Sequence, residues 1–357
     1  MSSETGMNYA PKGMPNRVCK DGEFIFAAAH LDHGHIHGMS QGLIEAGAQV
    51  KWVYDPDPAK VAAYCKQFPQ AKVARSEDEI LCDNSVHLVA GANIASERCA
   101  QGLRVMDAGK DYFTDKAPLT TLQQLEAAKE KVQTTGKKYA VYYSERIHVQ
   151  SAVYAGQLVE RGAIGRVIQV LGLGPHREGR GRPDWFYEKE QFGGILCDIG
   201  SHQIDQFLFY TGAKDATIER SRVANYTHKD KVNFEDFGDV SLTADNGATG
   251  YIRVDWFTPD ALGTWGDGRL LILGTEGYIE LRKYIDVGRE STSDNVYLVN
   301  HEVEKYMPVN NKVGCPYFGQ LILDCLNRTE NAMTQEHAFK AAELAVKAEM
   351  MAKKLEG

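Results

Sequence analysis

The sequence predicts an α/β protein: an N-terminal Rossmann domain with a doubly wound parallel sheet, then a C-terminal α+β domain with a largely antiparallel sheet. Three observations predict it. Short apolar runs alternate with helical stretches up to about residue 143, which is the pattern of consecutive βαβ units. Beyond residue 144 several β-rich runs follow one another, joined by turn signals such as Asp245-Asn246-Gly247. The chain has 357 residues, more than one hydrophobic core usually supports.

The first strand is expected at Phe24–Ala29, a short apolar run of the kind buried in parallel sheets. A turn bearing His and Gly follows, and a helix is expected from Met39 to Ala46, closed by Gly47. Gln49–Tyr54 is the next strand, stopped by Asp55-Pro56-Asp57-Pro58, and Ala59–Phe68 the next helix. The alternation goes on with strand Val86–Ala90, helix Ala95–Ala108, strand Tyr112–Thr114, helix Leu122–Thr135 and strand Tyr139–Tyr143. After helix Ser151–Arg161 come strands at Val167–Leu173, Thr217–Asn225, Phe237–Thr243, Thr249–Trp256, Leu270–Gly274 and Tyr278–Arg282. A final helix is expected at His337–Lys354. The expected domains are an N-terminal arm (1–21), a nucleotide-binding domain (22–143) and a substrate-binding and oligomerisation domain (144–357).

A net charge of −8 argues against a phosphate-backbone partner, so no nucleic acid is expected. Seven scattered cysteines without a C-x-x-C pair fit a reducing compartment. The polar N-terminus shows no signal-peptide core and no run is long enough to span a bilayer, which gives a cytoplasmic location as the expectation, with no membrane partner.

A nucleotide in such a sheet sits on the first strand-to-helix turn, here Ala29-His30-Leu31-Asp32-His33-Gly34. Of the three glycines of G-x-G-x-x-G only Gly34 is present, so His30, Leu31, His33 and Gly34 are candidate cofactor contacts. The acid expected about 20 residues further on is Asp55. A carboxylate there accepts from a ribose and repels a 2′-phosphate, favouring NAD over NADP. An Asx turn before Pro56 is the structural alternative. His30, Asp32, His33, His35 and His37 also raise a transition-metal site. Their place after a buried strand favours histidines beside a cofactor, and no metal is expected.

Two further constellations carry chemistry. Thr114-Asp115-Lys116-Ala117-Pro118 ends a parallel strand, where a lysine can stabilise a developing alkoxide. In Gly193–Asp205, helical from Leu196, the residues Asp198, His202 and Asp205 fall at i, i+4 and i+7 on one face of an otherwise apolar helix. Polar groups in that setting are costly unless paired or functional. Imidazole titrates near neutrality and suits proton transfer, and Asp198 can bind a hydroxyl or orient it.

The order of turn, Asp-Lys-Ala-Pro strand end and G-G-x-x-x-D-x-G-x-H-x-x-D helix resembles the Gfo/Idh/MocA family, the relatives of glucose-fructose oxidoreductase and inositol dehydrogenase. The resemblance implies a catalytic Lys116, a proton-transferring His202, a substrate-binding Asp198 and a cofactor-contacting Asn93. It implies hydride transfer between NAD and a secondary alcohol of a sugar or cyclitol. The sequence departs from the pattern in the glycine-poor turn and in Asp115-Lys116-Ala117-Pro118, where the family has Glu-Lys-Pro.

The loop Gly174–Tyr187 is rich in groups that bind polyols, since aromatic faces stack on sugar rings and Arg, His and Asp bond hydroxyls. His176, Arg177 and Trp185 are the first substrate-binding candidates; Tyr143, Arg146 and His148 come next. Two rival readings are a metal-dependent hydrolase using His30–His37 and a non-catalytic NAD-binding regulator. An open sheet face in the second domain makes a homo-oligomer the expected assembly.

Overall fold

The first sheet of the computed structural model, which describes residues 17–179, 181–289 and 293–356, has six strands. They are β1 (Ile25–Ala29), β2 (Gln49–Tyr54), β3 (Lys72–Val73), β4 (Leu88–Gly91), β5 (Asp111–Asp115) and β6 (Tyr139–Tyr142). All pair in parallel in the order β3-β2-β1-β4-β5-β6. The order reverses between β1 and β4, the place where open α/β sheets bind ligands. β1 and β4 read as unbroken apolar runs because both faces are covered, and β5, with an Asp at each end, is buried along its whole length. Most of the expected arm, residues 1–16, lies outside the described residues.

Two helices of this sheet show how locally the chain is specified. Pro58–Gln67 starts with the Asp57 side chain accepting from Ala59 and with Pro at its first position. Leu122–Thr135 is capped by Thr121 and stopped by Gly136 in the left-handed region. The first helix, however, runs His35–Glu45 and begins four residues before the expected Met39. Gly34 serves as its N-cap, so His35 and His37 are helical residues rather than part of the turn.

The chain divides into two compact units. Residues 314–339, expected with the second domain, group with the nucleotide unit and residues 17–142. The physical cause is the apolar helix Tyr317–Asn327, which the sequence reading passed over. Its Phe318 packs on the first helix so closely that a Cβ on Gly42 would stand 2.3 Å from the ring. Gln335 then brackets Tyr139 of β6, accepting its amide at 2.7 Å and donating to its carbonyl at 2.9 Å.

The second unit holds a nine-stranded sheet. Its strands are β7 (Val167–Pro175), β8 (Ala216–Ala224), β9 (Phe237–Ala244), β10 (Thr249–Asp255), β11 (Arg269–Gly274), β12 (Gly277–Arg282), β13 (Asn295–Asn300), β14 (Glu304–Pro308) and β15 (Lys353–Lys354). The order is β14-β13-β12-β11-β7-β10-β9-β8-β15, antiparallel except for the pairs β7/β10 and β8/β15. β13 and β14 were not anticipated. The helix Ile195–Thr211 lies across one face, and glycines mark where it lands. A Cβ on Gly172 would meet Gln203 at 2.7 Å, and one on Gly250 would meet Phe207 at 2.8 Å. The other face carries Leu171, Tyr251, Leu271, Leu273 and Tyr278, which are partly or largely accessible.

Candidate active site

In the nucleotide unit, the turn after β1 is built without its first two glycines. His30 takes the left-handed conformation (φ +58°), its amide donating to Tyr54 and its carbonyl accepting from Ala92. Leu31 donates its amide to Asp55 Oδ2 at 2.6 Å, and Asp57 donates its own to Asp55 Oδ1 at 2.8 Å. Asp55 is therefore an Asx-turn residue and a clamp on the first turn. A carboxylate oxygen accepts more than one hydrogen bond, so this engagement does not prevent it from taking a ribose hydroxyl. Lys60 reaches Asp32 at 2.6 Å and lies 3.9 Å from Asp55.

These residues fit a dinucleotide. The helix starting at His35 has no side-chain cap from Gly34 and no acid in its first turn, which leaves the positive end of its dipole uncompensated for a pyrophosphate. Asn93 follows β4, with its Oδ1 accepting from Ile94 and its carbonyl accepting from Arg98 Nε at 2.7 Å.

The histidines of this segment do not converge on one point. His30 faces Glu77 at 3.2 Å, and His37 lies against Tyr64 and Phe68. His33 and His35 instead meet Asp115 at the end of β5, with Nδ1 3.0 Å from Oδ2 and 2.8 Å from Oδ1 respectively. Ligand atoms of these three side chains lie within 4.8 Å of one another, a spacing a metal ion can use. The same carboxylate also takes the Lys116 amide at 2.8 Å and Arg98 Nη2 at 3.3 Å, so it is saturated by hydrogen bonds and a guanidinium. Burial pushes His33 down to about 3, reinforced by His35. Burial would raise Asp115, but His35, His33 and Arg98 outweigh it and hold the carboxyl well below its usual range. Lys116 itself is buried, and Arg98 Nη1 donates to the Lys116 carbonyl, which belongs to the cis peptide Lys116–Ala117, and to the Ala117 carbonyl that follows it.

In the second unit, Asp198, His202 and Asp205 lie on the expected face of Ile195–Thr211, all buried. Asp205 binds Arg146 bidentately at 2.7 and 2.8 Å, so this arginine is tied into the helix packing and stacks on Phe209. His202 lies edge-on to Tyr143, ring centroids 6.4 Å apart. His176 packs on Trp265 and Trp256 and approaches Glu145 at 3.8 Å. Arg177 is a loop tie, donating to the carbonyls of Pro259 and Leu262 at 2.8 and 2.7 Å. His148 is buried, whereas Trp185 is half-buried beside Phe186.

Three participants were not anticipated. Glu145 accepts from the fully buried Lys283 at 2.7 Å and from Gln203 at 2.8 Å. Burial would raise Glu145, yet Lys283, His202 and His176 draw it below the usual carboxylate range. Lys283 lies in an irregular link between strands and carries no local signal. Arg182 is held between the Phe186 and Trp256 rings, 4.2 and 4.4 Å from their centroids. Burial lowers it to about 10, with Asp198 opposing.

The arrangement resembles known proteins in sequence and fold. Residues 153–280 match the model of the GFO/IDH/MocA C-terminal domain. The chain is 52% identical to a structurally solved protein of Erwinia carotovora atroseptica SCRI1043, proposed to be an oxidoreductase, over 94% of this chain and 100% of that one (TM-score 0.91). It is 25% identical to the NAD-linked scyllo-inositol 2-dehydrogenase of Bacillus subtilis (strain 168), over 69% of this chain and 70% of the relative. Against the D-xylose dehydrogenase of Paenarthrobacter nicotinovorans it is 27% identical over 40% of this chain and 38% of the relative. By these matches, its fold and its G-G-x-x-x-D-x-G-x-H-x-x-D helix, the chain belongs to the Gfo/Idh/MocA family of oxidoreductases.

Proposed function

We propose that the protein interconverts a secondary alcohol and a ketone on a sugar, a sugar derivative or a cyclitol, with NAD as its cofactor. The observation that carries the reading is the pairing of buried Asp198 and His202 on one helix face within a family whose matched relatives act on inositol and xylose. When bound, the nicotinamide supplies the hydride acceptor or donor. His202 takes the hydroxyl proton, Asp198 binds a neighbouring hydroxyl, and the Lys116 ammonium stabilises the alkoxide-like oxygen.

Asp55 supports NAD over NADP, because a buried carboxylate at the end of β2 repels a 2′-phosphate. His30, Leu31, His33, Gly34, Asn93 and Lys116 complete the proposed cofactor contacts. His176, Trp185, Tyr143 and His148 are proposed as the polyol-facing set, with Arg146 and Arg177 in supporting positions given by their ties to Asp205 and to the 259–262 segment. A homo-oligomer assembled through the open sheet face and a cytoplasmic location are part of the same proposal. Among the described residues no helix is long and apolar enough to cross a membrane.

The test is titration with NADH and NADPH followed by nicotinamide fluorescence, then a turnover screen that includes scyllo-inositol and D-xylose. Tight NADH binding, weaker NADPH binding and turnover of a polyol are expected. Failure to bind either cofactor would sink the reading.

A further inference from the structure

We infer that His33 and His35 are positioning residues for Lys116: they clamp the Asp115 carboxylate and so lock the lysine-bearing end of β5 to the first turn after β1. The inference deepens the proposed role of Lys116 and rests on it. It lies within the nucleotide unit alone.

The Asp115 side chain is fully buried, and its two oxygens take donors from the turn after β1, from Arg98 and from the adjoining Lys116 amide. Oδ1 receives His35 Nδ1 at 2.8 Å and the Lys116 amide at 2.8 Å. Oδ2 receives His33 Nδ1 at 3.0 Å and Arg98 Nη2 at 3.3 Å. A carboxylate has about four lone-pair sites, so four donors leave it no freedom to rotate. His33 Nδ1 lies between Asp115 Oδ2 at 3.0 Å and the His35 amide at 3.3 Å, and with its proton on Nδ1 it donates to the carboxylate. The two imidazoles contact one another as well, centroids 4.3 Å apart, so neither can swing without the other.

Both histidines belong to the segment that forms the turn and opens the following helix, at Gly34–His35. Asp115 directly precedes Lys116, whose carbonyl is held by Arg98. The clamp therefore joins the segment suited to pyrophosphate and the lysine through one saturated carboxylate. The histidine cluster thus acquires a role distinct from metal binding.

The test is hydrogen exchange of the full-length protein read by mass spectrometry over the peptide containing Lys116, in the wild type and in His33→Ala, His35→Ala, His33→Asn and His35→Asn. Asparagine can place its amide N–H near the position of Nδ1, whereas alanine leaves a gap. The alanine variants should exchange at this peptide at least tenfold faster, with the β8–β10 peptides unchanged, and each Asn variant should recover most of the protection. Asp115→Asn, which keeps the shape but not the charge, provides a second route to the same loosening if an alanine variant fails to fold. Unchanged exchange around Lys116 in folded variants would overturn the clamp. Turnover separates the two ideas: full activity in Lys116→Met would remove the lysine from catalysis and leave the exchange result standing.

Discussion

Leu31 donates its backbone amide to Asp55 across 2.6 Å, which ties the turn after β1 to the end of β2. A side chain expected to select the cofactor thus also shapes the loop that receives it. Asp55→Ala should weaken NADH binding at least tenfold by releasing the Leu31 and Asp57 amides. Asp55→Asn retains an acceptor and loses the charge, so it should narrow the preference for NADH over NADPH. Fluorescence titration of both variants with both cofactors reads the difference.

Chemistry and cofactor binding should separate cleanly. Lys116→Met and His202→Asn are expected to lower kcat by about 100-fold or more, a loss of roughly 3 kcal/mol in transition-state stabilisation. The NADH dissociation constant of His202→Asn should stay within threefold of the wild type. Steady-state kinetics beside direct titration checks both. A regulator on the same fold would show cofactor binding without turnover in the wild type.

The buried pair of Glu145 and Lys283 makes a stability prediction. Lys283→Met leaves a buried carboxylate without its cation and should cost about 3–5 kcal/mol in denaturant unfolding. Glu145→Gln combined with Lys283→Met removes the uncompensated charge and should recover a good part of that loss. A double-mutant cycle measures the coupling.

At the start of the helix Ile195–Thr211, Ile195 donates to Glu235 and Leu196 to Glu349, and Lys189 reaches both carboxylates. Burial and the neighbouring Glu235 push Glu349 from 4.5 up to about 8. The folded protein therefore holds a proton there that the unfolded chain releases, so this contribution is complete below 4.5 and is lost as the pH rises through about 8. Glu349→Gln mimics the protonated form. Its melting temperature should gain on that of the wild type by a few degrees on going from pH 6 to pH 9.

The same corner is closed to a larger residue at Gly194. Its φ is +91°, and a Cβ would lie 2.3 Å from the Glu349 carboxyl carbon. Gly194→Ala should destabilise the protein by about 2 kcal/mol or more, seen as a lower denaturation midpoint.

The fold was legible where one segment's chemistry sufficed. Alternating apolar and helical stretches located five of the six parallel strands, and missed only the two-residue β3. The spacing of Asp198, His202 and Asp205 placed all three on one buried face, because helical periodicity is a local property. β13 and β14 escaped because they follow an irregular link and rely on sheet neighbours for their identity, Asn295–Asn300 pairing with β12 and the mixed apolar and charged Glu304–Pro308 with β13. The helix start at His35 was misjudged because its cap is a glycine, with none of the Ser, Thr or Asp that usually announce a helix.

By itself the sequence determined the βαβ series, the change to a β-rich second half, the acid at the end of β2, and the face shared by Asp198 and His202. Each rests on periodicity or on spacing within a few dozen residues. Only the tertiary structure decided what the polar side chains meet. It gave Asp205 to Arg146, Asp115 to His33, His35 and Arg98, and Glu145 to Lys283, and it brought residues 314–339 back to the nucleotide unit. These partners lie 17 to 138 positions apart along the chain. A buried charge is satisfied by whichever group the packing brings within reach, and no local pattern records which one that is.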